Sequence, residues 1–184
     1  MKIALPPFPN QAIAAISAAL LALPALLAMS AGAEDKDTVR IEFVDTKGEE
    51  VSFETLKGKT LGFYFSAHWC PPCRQFTPTL VNFRNKHADD FEVVFVSFDN
   101  SKKEKENYMS EANMSWLTVP GFNNREANAL AKTFGVKGYP TLIVIGPDGK
   151  IITSDGRTDV ILSPETAIEK WKSVSASLSP NEES

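Results

Sequence analysis

Phe63-Tyr64-Phe65-Ser66-Ala67-His68-Trp69-Cys70-Pro71-Pro72-Cys73-Arg74 is the stretch on which the reading of this chain turns. Its first half belongs to Leu61–Phe65, a short apolar run without alternation, the pattern of a central strand buried on both faces. Its second half changes period: Phe76, Leu80, Phe83 and His87 recur at helical spacing, so a helix is expected from Cys70 to about Ala88. Cys70 then stands at a helix N-terminus, where free backbone N–H groups and the positive end of the dipole favour a thiolate. A thiolate is the attacking species in disulfide exchange. Cys73 lies one turn on, placed to resolve a mixed disulfide and less exposed. Pro71 and Pro72 suit a first turn, where missing N–H groups cost little, and they stiffen the loop between the sulfurs. They also remove donors from the thiolate, so the intervening pair is expected to tune the potential.

Cysteine usage agrees with a reactive role. The chain of 184 residues has two cysteines, separated by two residues. A small secreted domain held by disulfides would carry more, and a loop this short hardly restricts the unfolded chain. A Cys-x-x-Cys pair is also half of a zinc site, which His68 and His87 would have to complete. Against zinc, His87 falls on the inward stripe of its helix and no second cysteine pair exists. Neither a metal nor a cofactor is therefore expected.

Moving outward, Val39, Ile41 and Phe43 alternate with Arg40 and Glu42, and Val51 with Phe53 would return across the turn Asp45-Thr46-Lys47-Gly48 as an N-terminal β-hairpin extension. Phe91–Phe98 reads as the next core strand, and Ser101–Asn113 as a charged helix capped by Ser101, with Tyr108 and Met109 inward. Lys102, Lys103 and Lys105, interleaved with Glu104 and Glu106, read as its solvated face. A loop through Trp116, Pro120 and Gly121 leads to a helix at Glu126–Phe134, stopped by Gly135. Thr141–Ile145 is a buried strand, Gly146-Pro147-Asp148-Gly149 a turn, and Ile151-Ile152 the returning strand. Ser163-Pro164-Glu165 opens a last helix, with Ile168, Trp171 and Val174 inward. Alternating strands and helices mean an α/β three-layer sandwich, a central mixed sheet with helices on both faces, over residues 38–178. Residues 179–184 read as a flexible tail.

Residues 1–33 differ in kind. Lys2 is followed by an uncharged run of 18 residues, Ala12–Met29, then by Ala31-Gly32-Ala33, and charges begin at Glu34 and Asp35. That order reads as a secretory signal peptide, and so predicts export, to a periplasm if the source is Gram-negative. An uncleaved membrane anchor is the rival reading, since the run sits at the lower limit for spanning. The net charge of −4 and the absence of a glycine-rich phosphate loop argue against nucleic-acid and nucleotide partners.

One further element completes the pattern: Gly138-Tyr139-Pro140-Thr141, directly before a buried strand, where an X–Pro bond can be cis. Trp-Cys-x-x-Cys after an aromatic strand, a Pro-Thr step before a later strand and a Pro-Asp-Gly hairpin together resemble the thioredoxin superfamily. The longer match, Phe63–Arg74 with Phe76-Thr77-Pro78 and Ser115-Trp116-Leu117-Thr118-Val119-Pro120, is similar to its tryparedoxin and nucleoredoxin branch and covers residues 60–155. The resemblance implies a thioredoxin-like fold and a redox-active Cys70–Cys73 disulfide. In it Cys70 is the nucleophile, Cys73 the resolving cysteine and Pro140 a cis-proline that docks substrate. Trp69, Pro71, Pro72 and Tyr139 take supporting roles; Trp116 is read as a packing residue, although the branch places it near the cysteines. Two departures stand out. Thioredoxin carries a buried aspartate six residues before the first cysteine, where this chain has Tyr64, as the branch does. Arg74-Gln75-Phe76 lacks the glutamate that many periplasmic reductases keep after the second cysteine. No general base is therefore named by sequence, and Tyr139, as in protein disulfide isomerases, leaves the redox direction open. The expected function is a monomeric reductase of disulfide-containing protein substrates outside the cytoplasm, fed by a membrane-bound electron donor. A disulfide oxidase or isomerase, and a non-enzymatic binding module of the same fold, are the alternatives.

Overall fold

The computed structural model of the protein describes residues 41–178; the leader read in residues 1–33, Val39 and the tail at 179–184 lie outside them. Five strands, β1 (Thr60–Ser66), β2 (Phe91–Ser97), β3 (Leu117–Thr118), β4 (Thr141–Ile145) and β5 (Ile151–Thr153), form one sheet in the order β3-β2-β1-β4-β5. β1 runs parallel to β2 and antiparallel to β4. Five helices follow the chain: α1 (Pro71–Lys86), α2 (Lys102–Glu111), α3 (Arg125–Thr133), α4 (Gly156–Leu162) and α5 (Ala167–Leu178).

The unalternating run in β1 is explained by cover on both sides, every residue of the strand being buried. On one face Phe63 and Phe65 meet Phe134, just past α3, at ring separations of 5.4 and 6.1 Å, and Phe43 of the N-terminal segment lies 6.4 Å from Phe63. On the other, Tyr64 contacts Phe76 of α1 at 5.8 Å. Phe83, Phe91 and Trp171 form a triangle there, with centroids 5.3 to 5.6 Å apart, that joins α1, β2 and α5. Phe91 comes so close to β1 that a Cβ at position 62 would lie 2.6 Å from its ring, which is why Gly62 stands in a strand otherwise unfavourable to glycine. The three layers expected from the sequence are these.

Several local readings are corrected. The N-terminal hairpin contracts to a single antiparallel bridge, Val44 opposite Glu50, and Val44 bridges Thr118 as well. Its second strand is lost because the Ser52 hydroxyl accepts the Glu54 N–H and turns Phe53–Leu56 into a 3-10 helix. The loop after α2 contains β3, whose Thr118 hydroxyl donates to the Phe95 carbonyl at 2.9 Å. Residues 156–162, to which the sequence reading assigned no element, form α4, tied to α5 by the Trp171 indole N–H donating to Asp159 at 2.8 Å. Ser163 opens the last helix through a turn, its carbonyl accepting from Thr166 and Ala167. Finally Lys105 is not solvated: it is buried, and its ammonium donates to the carbonyls of Val119 and Gly121 at 2.8 and 2.7 Å.

Candidate active site

At the end of β1 the chain turns through Ala67, His68 and Trp69, and Cys70 caps α1 in an extended conformation, φ −92° and ψ 106°. Pro71 and Pro72 fill the first two helical positions without straining the helix. Of the first three helical residues only Cys73 then carries an N–H, the two prolines having none, and the Arg74 N–H that follows already donates to the Cys70 carbonyl at 3.2 Å. The dipole advantage at Cys70 is thus carried by few donors. Cys70 and Cys73 are joined in a disulfide with Cα atoms 5.2 Å apart. Cys73 is fully enclosed, and Cys70 reaches the surface with 4% of its area.

The outer side of the disulfide is aromatic. Trp69 is 51% exposed, and its indole N–H donates to the Phe98 carbonyl at 2.9 Å. Its ring meets Tyr139 edge-on at 6.2 Å, and Tyr139 stacks on Phe98 at 4.7 Å. Partial burial pushes the Tyr139 hydroxyl above its ordinary range, so it stays protonated. The Tyr139–Pro140 peptide bond is cis, and Pro140 is buried. Antiparallel pairing of β1 with β4 sets Phe65 opposite Thr141, bringing this step beside the cysteine loop although some 70 residues of chain separate them.

The two histidines do not come together. His68 stacks on Tyr108 at 5.4 Å and its Nε2 lies 3.1 Å from a Glu111 carboxylate oxygen. His87 caps the far end of α1, about 21 Å along the axis from Cys73 at the standard helical rise, and rests on Phe83. Among the described residues no group of three or more His, Cys, Asp or Glu side chains is placed to hold a metal.

A thioredoxin-like family profile matches residues 58–151. The chain belongs to the thioredoxin-like family. It is 46% identical to a tryparedoxin of Trypanosoma brucei brucei over 129 residues, 68% of this chain and 88% of the relative. It is also 42% identical to the nucleoredoxin of Mus musculus over 127 residues, which is 67% of this chain but only 29% of that longer protein. Tryparedoxin II of C. fasciculata superposes with a TM-score of 0.64 at 39% identity, over 69% of this chain and 84% of the other. Tryparedoxin from Trypanosoma brucei gives the same score at 43% identity, over 71% and 91%. The protein is a thiol–disulfide oxidoreductase of thioredoxin-like fold.

Polar groups that the sequence did not reveal hold the loop of this thioredoxin-like chain, two of them being Asp99 and Lys105. Asp99, fully buried just past β2, accepts the His68 N–H at 2.6 Å and the Ser97 hydroxyl at 2.7 Å. Burial raises its carboxyl above the usual range, against the lowering effect of those hydrogen bonds. Lys105 feels the Asp99 charge, yet desolvation dominates and brings its ammonium down to about 8. A signal for Asp99 was available: it stands at the carboxyl end of a buried parallel strand, where open α/β sheets assemble their sites. For Lys105 it was helix phase, three residues before the inward Tyr108. Trp116, near the cysteines by resemblance, packs edge-on against Tyr64 at 6.2 Å and is buried.

Proposed function

We propose that the protein reduces protein disulfides in an extracytoplasmic compartment. Cys70 attacks a substrate disulfide, and one half of the substrate leaves as a thiol. Cys73 then attacks Cys70 in the mixed disulfide, the Cys70–Cys73 bond forms, and the second half leaves reduced. The observation that carries this reading is the pairing of the half-exposed Trp69 and the Tyr139–Pro140 step around the nearly closed Cys70 sulfur. That arrangement offers an apolar surface and the backbone of the Tyr139–Pro140 step to an extended segment lying beside Cys70, as in strand-addition binding. Similarity to tryparedoxins favours the reducing direction, and one of them, 38% identical, has been solved with glutathionylspermidine bound. The apolar run with its small-residue end in residues 1–33 supports export. An oxidising compartment would soon oxidise the dithiol, so the working enzyme, a monomer, draws electrons from a membrane-bound donor.

The test is a redox titration with two assays beside it. Insulin reduction should be faster than reactivation of scrambled ribonuclease, and the potential should lie near that of cytosolic reductants, about −270 mV. A potential near −120 mV, with faster ribonuclease reactivation, makes the protein an oxidase or isomerase instead. Intact mass of the protein recovered from its source should place the mature N-terminus at Glu34; a retained Met1 or Lys2 overturns cleavage.

A further inference from the structure

Beneath Cys73 lies a cluster of four buried hydroxyls. Tyr64 and Ser66 come from β1, Thr77 from α1 and Tyr108 from α2, and all four residues are at most 2% exposed. Their oxygens close a ring: Ser66 to Tyr64 3.0 Å, Tyr64 to Thr77 2.8 Å, Thr77 to Tyr108 2.5 Å, Tyr108 to Ser66 3.1 Å. Two of them also reach the Cys73 carbonyl, Thr77 at 2.9 Å and Tyr64 at 3.3 Å. Each hydroxyl has one hydrogen, so four hydrogens cannot fill all these contacts at once. Among the arrangements that use every hydrogen, one ends on the Cys73 carbonyl. Ser66 donates to Tyr64, Tyr64 to Thr77, Thr77 to the Cys73 carbonyl, and Tyr108 to Thr77 or Ser66. Burial holds Tyr64 far above its ordinary range, so it remains a donor throughout the working pH. The Cys73 carbonyl thus lies within reach of two hydroxyl donors, those of Thr77 and Tyr64.

The need for such an anchor is local. Pro78 has no N–H, so the helical ladder loses the rung that would bind the Arg74 carbonyl, next to the Cys73 one. In the oxidised protein the Cys70–Cys73 bond itself holds the first turn of α1. In the mixed disulfide that covalent tie is open, and Cys73 must be held in place by other means. We propose that the hydroxyl cluster positions the resolving cysteine. It fixes the Cys73 backbone while the tie is open, and so governs the second step of exchange more than the first. In that step the Cys73 thiol gives its proton to water and its sulfur bonds to Cys70. The Cys70–substrate bond breaks, and the substrate leaves with the electron pair as a thiolate. Misplacement of a reacting atom costs rate out of proportion to its size, so loss of one neutral hydrogen bond should be visible in this step. The inference rests on exchange chemistry at Cys70 and Cys73, not on its direction or compartment.

Reduced protein mixed with the aromatic disulfide dithiobis(nitrobenzoate) releases one coloured thiolate when Cys70 attacks and a second when Cys73 resolves. Stopped-flow absorbance separates the two. For Tyr64→Phe, Tyr108→Phe and Thr77→Val the second release should slow by about three- to tenfold, with the first within about twofold of the parent. Thr77→Ser should restore the second release. The pH midpoint of that phase should stay where it is, only its plateau falling. Should Thr77→Val not fold, Tyr108→Phe, on a different helix, carries the test alone. Equal slowing of both phases, an unchanged second phase, or a Thr77→Ser variant as slow as Thr77→Val overturns the proposal. So does a shifted pH midpoint, which would make the cluster a proton acceptor.

Discussion

The two sides of the disulfide are built in opposite ways. Outside it, Trp69, Tyr139 and Phe98 make an aromatic ridge that is partly open to solvent and spends one hydrogen bond, indole to Phe98 carbonyl. Inside it, Tyr64, Ser66, Thr77 and Tyr108 make a polar cluster closed to solvent, in which every group has a partner. The open side is suited to meeting many sequences, because aromatic faces bind without a fixed donor pattern. The closed side is suited to holding one backbone, since hydrogen bonds in a dry interior are directional and costly to break. Under the proposed function, substrate tolerance and sulfur placement fall to different materials on the two sides of the disulfide.

Breaking the axis between the two sides has the largest effect. Cys70→Ser should abolish insulin reduction, whereas Cys73→Ser should keep the attacking sulfur and accumulate mixed disulfides, visible on non-reducing gels. Equal trapping by both variants would mean the sulfurs are not differentiated. On the open side, Trp69→Ala should lower kcat/KM for insulin about tenfold, the scale for truncating an aromatic anchor, with little change in Tm. A large fall in Tm would make Trp69 a packing residue rather than a contact. Below the loop, Asp99→Ala leaves the His68 N–H and the Ser97 hydroxyl without their acceptor and should cost about 1–3 kcal/mol in urea denaturation. The smallest effect concerns pH. Lys105 loses its proton at about 8 in the folded chain and near 10.5 when unfolded, so between these values the unfolded state binds more protons. Stability should therefore gain an upward slope with pH across that window. Lys105→Met should remove the slope, measured as the urea midpoint against pH; an identical slope in both proteins would show that Lys105 is solvated after all.

Legibility in the sequence followed the length and regularity of each element. β1, β2 and β4 are continuous apolar runs and α1 has a sustained helical period, so the sheet centre and the cysteine loop were readable. β3 has two residues, and its pairing with β2 depends on a tertiary approach that no local pattern encodes. α4 begins at Gly156 after Ser154-Asp155, a turn-like stretch, and its Asp155 carboxylate accepts from the Thr158 hydroxyl rather than capping a backbone N–H. The Cys70–Cys73 pair and the cis Tyr139–Pro140 bond were readable because their chemistry is tied to their residue type. The polar supports were not, because the identity of a lysine or a tyrosine does not announce burial. Lys105 was assigned by its charge to solvent, while its position on the helix put it beside Tyr108. Tyr64 was noted as a replacement for an aspartate, but of its hydroxyl companions only Ser66 is near it in sequence, Thr77 and Tyr108 coming from α1 and α2.

The rung that pairs Phe65 with Thr141 has a consequence for how this protein tolerates change in length. It is the place where the cysteine loop and the Tyr139–Pro140 step are brought to a common origin, and no side chain is shared between them. Insertions in the segments that join α2, β3 and α3 leave that origin untouched, whatever they do to the surface they enlarge. A single residue gained or lost inside Leu61–Phe65 or Thr141–Ile145 would displace one half of the site by about 3.4 Å along the strand and turn the following side chains to the opposite face. In descendants of this chain, gaps should therefore gather in the loops and stay out of these two short strands, which act as the scale against which the site is measured.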